Sequence, residues 1–132
     1  MIDYIIYTSQ ATDRFQPSDL AKILLVARQN NQMFGICGAL LYQDDRFLQI
    51  LEGEREAIDM LLDSIKQDPR HHDLAIINQG QKAGPQFTEW AMAEVSDTRA
   101  SESPTIVECL REDNISDETA AALTAEIQKI CI

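Results

Sequence analysis

Basic side chains are in short supply. Eleven Lys and Arg stand against 22 Asp and Glu in 132 residues, for a net charge of −11 and a pI near 4.4. A nucleic acid demands clustered cations that displace its counterions, and an anionic membrane surface demands the same. No such cluster occurs, so neither partner is expected. A run of about 18 apolar residues, enough to span a bilayer, is also missing. No basic segment precedes the apolar start Met1-Ile2-Asp3-Tyr4, so no secretory signal is expected. Cysteine is limited to Cys37, Cys109 and Cys131. An odd number without metal-type spacing reads as reduced thiols in a cytoplasmic protein. The sequence contains no Gly-x-Gly-x-x-Gly, no phosphate-binding P-loop, no Gly-x-Ser-x-Gly and no His-Glu-x-x-His. The common dinucleotide, nucleotide-hydrolysing, serine-hydrolase and zinc-protease sites are thereby excluded.

What is present suits one ordinary domain. Hydrophobic residues make up 45% and charged residues 25%, enough for a single core without cross-links. Ile2 to Thr8 reads as a strand with two apolar faces, Tyr4 and Ile6 on one and Ile5 and Tyr7 on the other. Such a strand is central and covered on both sides. Pro17 suits a first helical turn. Leu20, Ile23, Leu24 and Ala27 follow at helical spacing, and Asn30-Asn31 is expected to end the run. Gly35 to Tyr42 and Arg46 to Glu52 form a predicted hairpin around Gln43-Asp44-Asp45. Ile58, Leu61, Leu62 and Ile65 mark a second amphipathic helix, stopped by Asp68-Pro69. Leu74 to Asn78 and Glu89 to Val95 read as further strands, with 81–86 as loop. Thr98 to Ser103 looks like a linker. Ser116 can cap a last helix carrying Ala120, Leu123, Ile127, Ile130 and Cys131 toward one side. The order is βαββαβ with a fifth strand counted in: an α+β, ferredoxin-like pattern with two helices on one sheet face. The last helix is expected on the other face.

Several residues carry more chemistry than packing requires. Phe47, Gln49 and Leu51 share a strand face, so an amide sits among apolar neighbours. An unpaired buried amide costs roughly 1–3 kcal/mol, so Gln49 needs a partner. That partner is either a loop backbone or a group toward which the side chain can reverse its donor and acceptor ends. Tyr7 is either a core aromatic with a satisfied hydroxyl or a redox-active phenol beside Gln49. Asn31 continues the Leu20-Leu24-Ala27 stripe and points inward; it either caps the helix in the left-handed conformation or, with Asn30, meets a ligand. Trp90 and Met92 share one face of the last strand, the usual arrangement for core packing. Arg70-His71-His72 concentrates positive potential just past a helix, either as a solvated loop or as a phosphate contact.

In order along the chain, Asn30-Asn31, Gly35-Ile36-Cys37-Gly38-Ala39-Leu40-Leu41-Tyr42, Phe47-Leu48-Gln49-Ile50-Leu51-Glu52-Gly53, Asp68-Pro69-Arg70-His71 and Trp90-Ala91-Met92 resemble the BLUF family of blue-light sensors that use FAD. The resemblance runs from about Tyr4 to Val95. It implies a ferredoxin-like sheet with FAD (FMN or riboflavin in its stead) held under the two helices. It assigns photoactive roles to Tyr7, Gln49, Met92 and Trp90. Tyr7 would donate electron and proton, and Gln49 would switch between tyrosine and flavin. Met92 would lie near that glutamine, and Trp90 would move in or out of the site. Asn30, Asn31, Ile36, Gln49, Arg70 and His71 would hold the cofactor. After Tyr7 oxidation and recombination, a changed hydrogen bond at a flavin carbonyl would shift absorption to the red.

The resemblance further implies a sensor domain at 1–97 and a linker with helical extension at 98–132. No enzymatic activity is expected, and output would pass to a downstream signalling protein or through a homo-oligomer. Two other readings compete with it. An acylphosphatase-type hydrolase would use Arg14 and Asn31, but its Gly-rich cradle is missing; a small-ligand module would keep the fold without photoactivity. Arg46-Phe47-Leu48-Gln49 also matches part of the adduct-forming LOV motif, but Asp45 stands where that motif has its Cys.

Overall fold

The computed structural model describes residues 1–16, 18–43, 45–87, 92–95 and 114–130, with the backbone alone at 30, 92–95 and 128–130. Its elements are β1 (Ile2–Ala11), α1 (Asp19–Phe34), β2 (Cys37–Gln43), β3 (Arg46–Gly53), α2 (Arg55–Lys66), β4 (His71–Lys82), β5 (Met92–Val95) and α3 (Asp117–Ile130). The sheet order is β4-β1-β3-β2-β5. The first four strands pair antiparallel, and β5 adds parallel to β2 from Gly38–Met92 to Leu41–Val95. This is the α+β, ferredoxin-like arrangement that the element order predicts. Pro17, Trp90, the expected linker 98–103, Cys109 and Cys131 lie outside the described residues.

β1 sits between β3 and β4, and Ile5, Ile6 and Tyr7 are all buried. Its two faces feed two cores. Ile5 and Tyr7 pack with Leu24 of α1 and Ile58 and Leu62 of α2. Ile6 packs with Leu48, Ile50 and Ile77 against Ala120, Leu123 and Ile127 of α3. Burying one such aliphatic side chain is worth about 1.5–3 kcal/mol, so Leu123 and Ile127, both fully buried, suffice to hold α3 on the sheet. Ser116 caps α3 as expected: its Oγ accepts from the Thr119 backbone N–H at 3.2 Å.

Several boundaries differ from the sequence reading. α1 does not end at Asn30-Asn31 but runs to Phe34. Gly35 then terminates it with φ 68°, donating its N–H to the carbonyls of Asn31 and Gln32. A glycine enters the left-handed region at no steric cost and outcompetes an asparagine for that position. β2 accordingly begins at Cys37, leaving Ile36 before the strand rather than on it. Finally, β4 reaches Lys82 and takes in the start of the expected 81–86 loop, because β1 supplies pairing partners as far as Ile2–Lys82.

Gly38 shows how closely this sheet is built. A Cβ there would overlap the carbonyl oxygen of Ile50 on β3. Gly38 also opens the β2–β5 ladder, opposite Met92. Gly38→Ala is expected to destabilise the fold by about 1–3 kcal/mol, as overpacking does, read as a lower denaturant midpoint at unchanged slope.

Candidate functional site

On the face covered by α1 and α2, the sheet carries a cavity of about 280 Å³. Its floor comes from Tyr7 and Ser9 of β1, Phe47 and Gln49 of β3, and Leu40 of β2. Alternation puts these side chains on one face, and strand pairing brings them together: Tyr7 lies opposite Gln49, and Gln49 opposite Leu40. The helices supply the walls. Ile23, Ala27 and Asn31 follow one another at i, i+4, i+8 along α1, and Leu61, Ser64 and Ile65 line the α2 side. Asp68, Arg70 and His71 close the end where α2 passes into β4.

The polar groups fall into two sets. The first is internally satisfied. The Tyr7 hydroxyl donates to Gln49 Oε1, both groups being buried. Burial, and then the negative charge of Asp68, push the Tyr7 pKa far above that of a free phenol, so Tyr7 stays protonated at any physiological pH. Asp68 and Arg70 form a bidentate pair, Nε and Nη2 of Arg70 lying 3.0–3.1 and 2.6 Å from the carboxylate. The Arg70 hydrogen bonds hold the Asp68 carboxyl below its usual pKa. A lowered carboxyl pKa means that the pair's contribution is present at neutral pH and fades as pH falls through the lowered value.

The second set is unsatisfied. Among the described residues, Asn31, at 1% exposure, has neither amide atom in a hydrogen bond, and Ser9 Oγ is equally without a partner. His71 gives its Nε2–H to the Ile65 carbonyl, while its Nδ1 is buried without a partner among the described residues. Buried polar atoms are rarely left so. Here four of them, on β1, α1 and the start of β4, line one cavity. That arrangement fits a flat, largely apolar group with alternating acceptors and donors on its rim. A flavin ring is such a group, and an Asn amide suits an edge bearing both a carbonyl and an N–H.

Tyr7, Gln49, Asn31, Arg70 and His71 are therefore brought together, as the sequence reading places them. Ile36 is not: it is fully buried beside Gly53, packs in the core beneath the helices, and does not line the cavity. The helix runs four residues longer than expected, which displaces Ile36 from the strand face. Asn30 is helical and Met92 lies on β5, but their side chains, like all of Trp90, fall outside the described residues. Arg14 is exposed and does not line the cavity that holds Asn31, so the pair needed by a phosphate hydrolase is not assembled. Ser9, Ser64 and Asp68 were not foreseen. Ser9 follows Tyr7 by two, a signal hidden because the strand was expected to stop at Thr8. Ser64 follows Leu61 by three, on the same helix face.

Among the described residues no group of three metal-ligating side chains occurs, and no helix is long and apolar enough to cross a membrane. The family model described as sensors of blue-light using FAD matches residues 2–93. Photoactivated adenylate cyclase subunit beta of Euglena longa is 33% identical over 107 residues, 79% of this chain and 12% of that protein. The blue light- and temperature-regulated antirepressor BluF of Escherichia coli (strain K12) is 31% identical over 74 residues, 56% of this chain and 18% of that protein. The chain thus spans a small part of the curated relatives it matches. The solved dark-state structure of BlrB, a BLUF protein, superposes with a TM-score of 0.82 at 28% identity, covering 97% of this chain and 96% of that one. With the sheet, the two-helix roof and the Tyr7–Gln49 pair in place, the chain belongs to the BLUF family, and residues 2–93 form a flavin-binding blue-light sensor domain.

Proposed function

We propose that the cavity holds the ring of FAD and that light sensing runs through Tyr7 and Gln49. The observation that carries this is the convergence of Asn31, Ser9 and His71, with their four unpartnered polar atoms, beside the buried Tyr7–Gln49 hydrogen bond. Asn31 would hold the polar rim of the ring. Arg70 and His71 would border its far side, and Ile23, Ala27 and Leu40 would bracket its faces. Bound there, a flavin supplies an oxidant that exists only under blue light.

The chain's own residues then set the outcome. Tyr7 is held as a neutral phenol, so giving up an electron makes its proton strongly acidic. The hydrogen-bonded acceptor for that proton is Gln49 Oε1. Gln49 reaches both Tyr7 and the cavity. Rotation of its terminal amide, or a shift of its tautomer, exchanges which end each partner meets. When Tyr7 regains electron and proton, the exchanged arrangement persists as a change in hydrogen bonding at the cavity, seen as a small red shift. Met92, on the strand next to β2, and Trp90 would sense that change.

We further assign 1–97 to sensing and 98–132 to output, through a downstream signalling protein or a second copy of the chain, in the cytoplasm. Supporting this are the acidic surface charge and the placement of α3 on the sheet face away from the cavity. FAD is proposed over FMN or riboflavin on the family's description.

The test is an absorption spectrum of the purified, flavin-reconstituted protein in darkness and under blue light, followed by acid release and chromatography of the pigment. One flavin per chain and a reversible red shift are expected. A colourless protein, or a bleached spectrum abolished in Cys37→Ala, would overturn the proposal.

A further inference from the structure

We propose that a polar strap on the sheet face opposite the cavity couples the segment leading into β5 to the first turn of α3. The proposal rests on the sensor reading for its trigger, but not for its parts. Glu52 stands on β3 three residues after Gln49 and so faces away from the cavity. It is a carboxylate at 1% exposure. Its two oxygens accept the Gln86 N–H at 2.9 and 3.0 Å, and Oε1 accepts the Phe87 N–H at 3.0 Å. Lys82, at the end of β4, completes an ion pair with Oε2.

From there the strap crosses the sheet. The Lys82 ammonium lies 5.3 Å from the centre of the Tyr4 ring. The Tyr4 hydroxyl donates to Asn78 Oδ1 at 2.6 Å. Asn78 Nδ2 donates to the Ile115 carbonyl and to Asp117 Oδ1, each at 3.1 Å. Asp117 opens α3. Phe87 and Ile115, at the two ends, lie in the same core cluster as Leu123 and Ile127.

A buried ion pair is a poor device for stability, since desolvation consumes most of its attraction. What it does well is fix geometry: Glu52 can satisfy two backbone N–H groups and Lys82 in one arrangement only. Phe87 is five residues before Met92, so the carboxylate sets where the chain departs for β5. A displacement of β5 next to β2 would therefore pull on the same strap that holds the start of α3. Contiguity alone does not establish coupling, so the test cuts the strap at both ends.

Amide exchange is measured, dark and lit, on the flavin-reconstituted full chain, on Glu52→Gln, on Asn78→Leu and on the double variant, beside each one's absorption difference spectrum. In darkness, Glu52→Gln should speed exchange of the Gln86 and Phe87 amides about tenfold, the scale of one lost charge-assisted bond. It should also speed exchange in the first turn of α3, and Asn78→Leu should loosen Gln86 and Phe87 in return. In light, all variants should keep the red shift and lose most of the parent's exchange change in α3, the double variant no more than either single. Variants that each loosen only their own end overturn the strap, as does a lit parent with a red shift and no change in α3. If the parent shows no red shift, the sensor reading fails instead, and the dark cross-effects alone decide the strap. Lys82→Met, which leaves Glu52 both backbone donors, serves if Glu52→Gln does not fold.

Discussion

Gln49→Leu is expected to bind flavin and to show no red shift under blue light. The side chain is buried at the floor of the cavity. Leucine fills nearly the same volume, so the walls and Asn31 keep their places. What goes is the acceptor for the Tyr7 hydroxyl and the amide beside it in the cavity floor. Tyr7 then loses the acceptor for its proton, and the side chain at position 49 can no longer exchange donor and acceptor ends. Stability should fall by about 1–3 kcal/mol, the cost of leaving a buried hydroxyl unsatisfied. Tyr7→Phe should abolish the normal shift by the complementary route, removing the donor and leaving Gln49 Oε1 without it. Difference spectra and thermal melts of both variants check this. A full, stable red shift in Gln49→Leu would show that the switch lies elsewhere.

Asn31→Leu should weaken flavin binding by roughly tenfold to hundredfold, the worth of about 1–3 kcal/mol in lost hydrogen bonds. No hydrogen bond is given up among the described residues, because neither Asn31 amide atom has a partner there. The apoprotein should accordingly melt no lower than the parent. Loss of affinity without loss of stability is the mark of a residue kept for its ligand. Fluorescence titration of the apoproteins with FAD and with riboflavin measures the first half, and calorimetry without flavin measures the second. An unchanged Kd would mean that the rim of the ring meets another group; a melting point lower by many degrees would mean that Asn31 is structural.

Alternation along 47–51 and the apolar stripes at 20–27 and 58–65 are local properties of the chain, and they were sufficient to place Gln49 among apolar neighbours and to point Asn31 inward. The element order carried the ferredoxin-like topology for the same reason: short connections between strongly patterned segments leave few alternatives. The inward position of Asn31 survived even though the helix end was misplaced, because a stripe depends on period and not on where the helix stops.

Other features depend on which segments meet. That Asn31 does not cap the helix follows from Gly35 taking the left-handed position four residues later. Ser9 belongs to the site because β1 continues to Ala11 against β4, and Ile36 does not because β2 starts one residue after it. That Tyr7 and Gln49, 42 residues apart, form one hydrogen bond is a matter of β1–β3 register. Sequence alone determined residue type, periodicity and element order, since these follow from each residue and its near neighbours. Register, the joining of unpartnered polar atoms into one cavity, and the burial of Glu52 against a distant loop were decided only by the tertiary structure, because each is a contact between segments whose separation along the chain carries no trace of it.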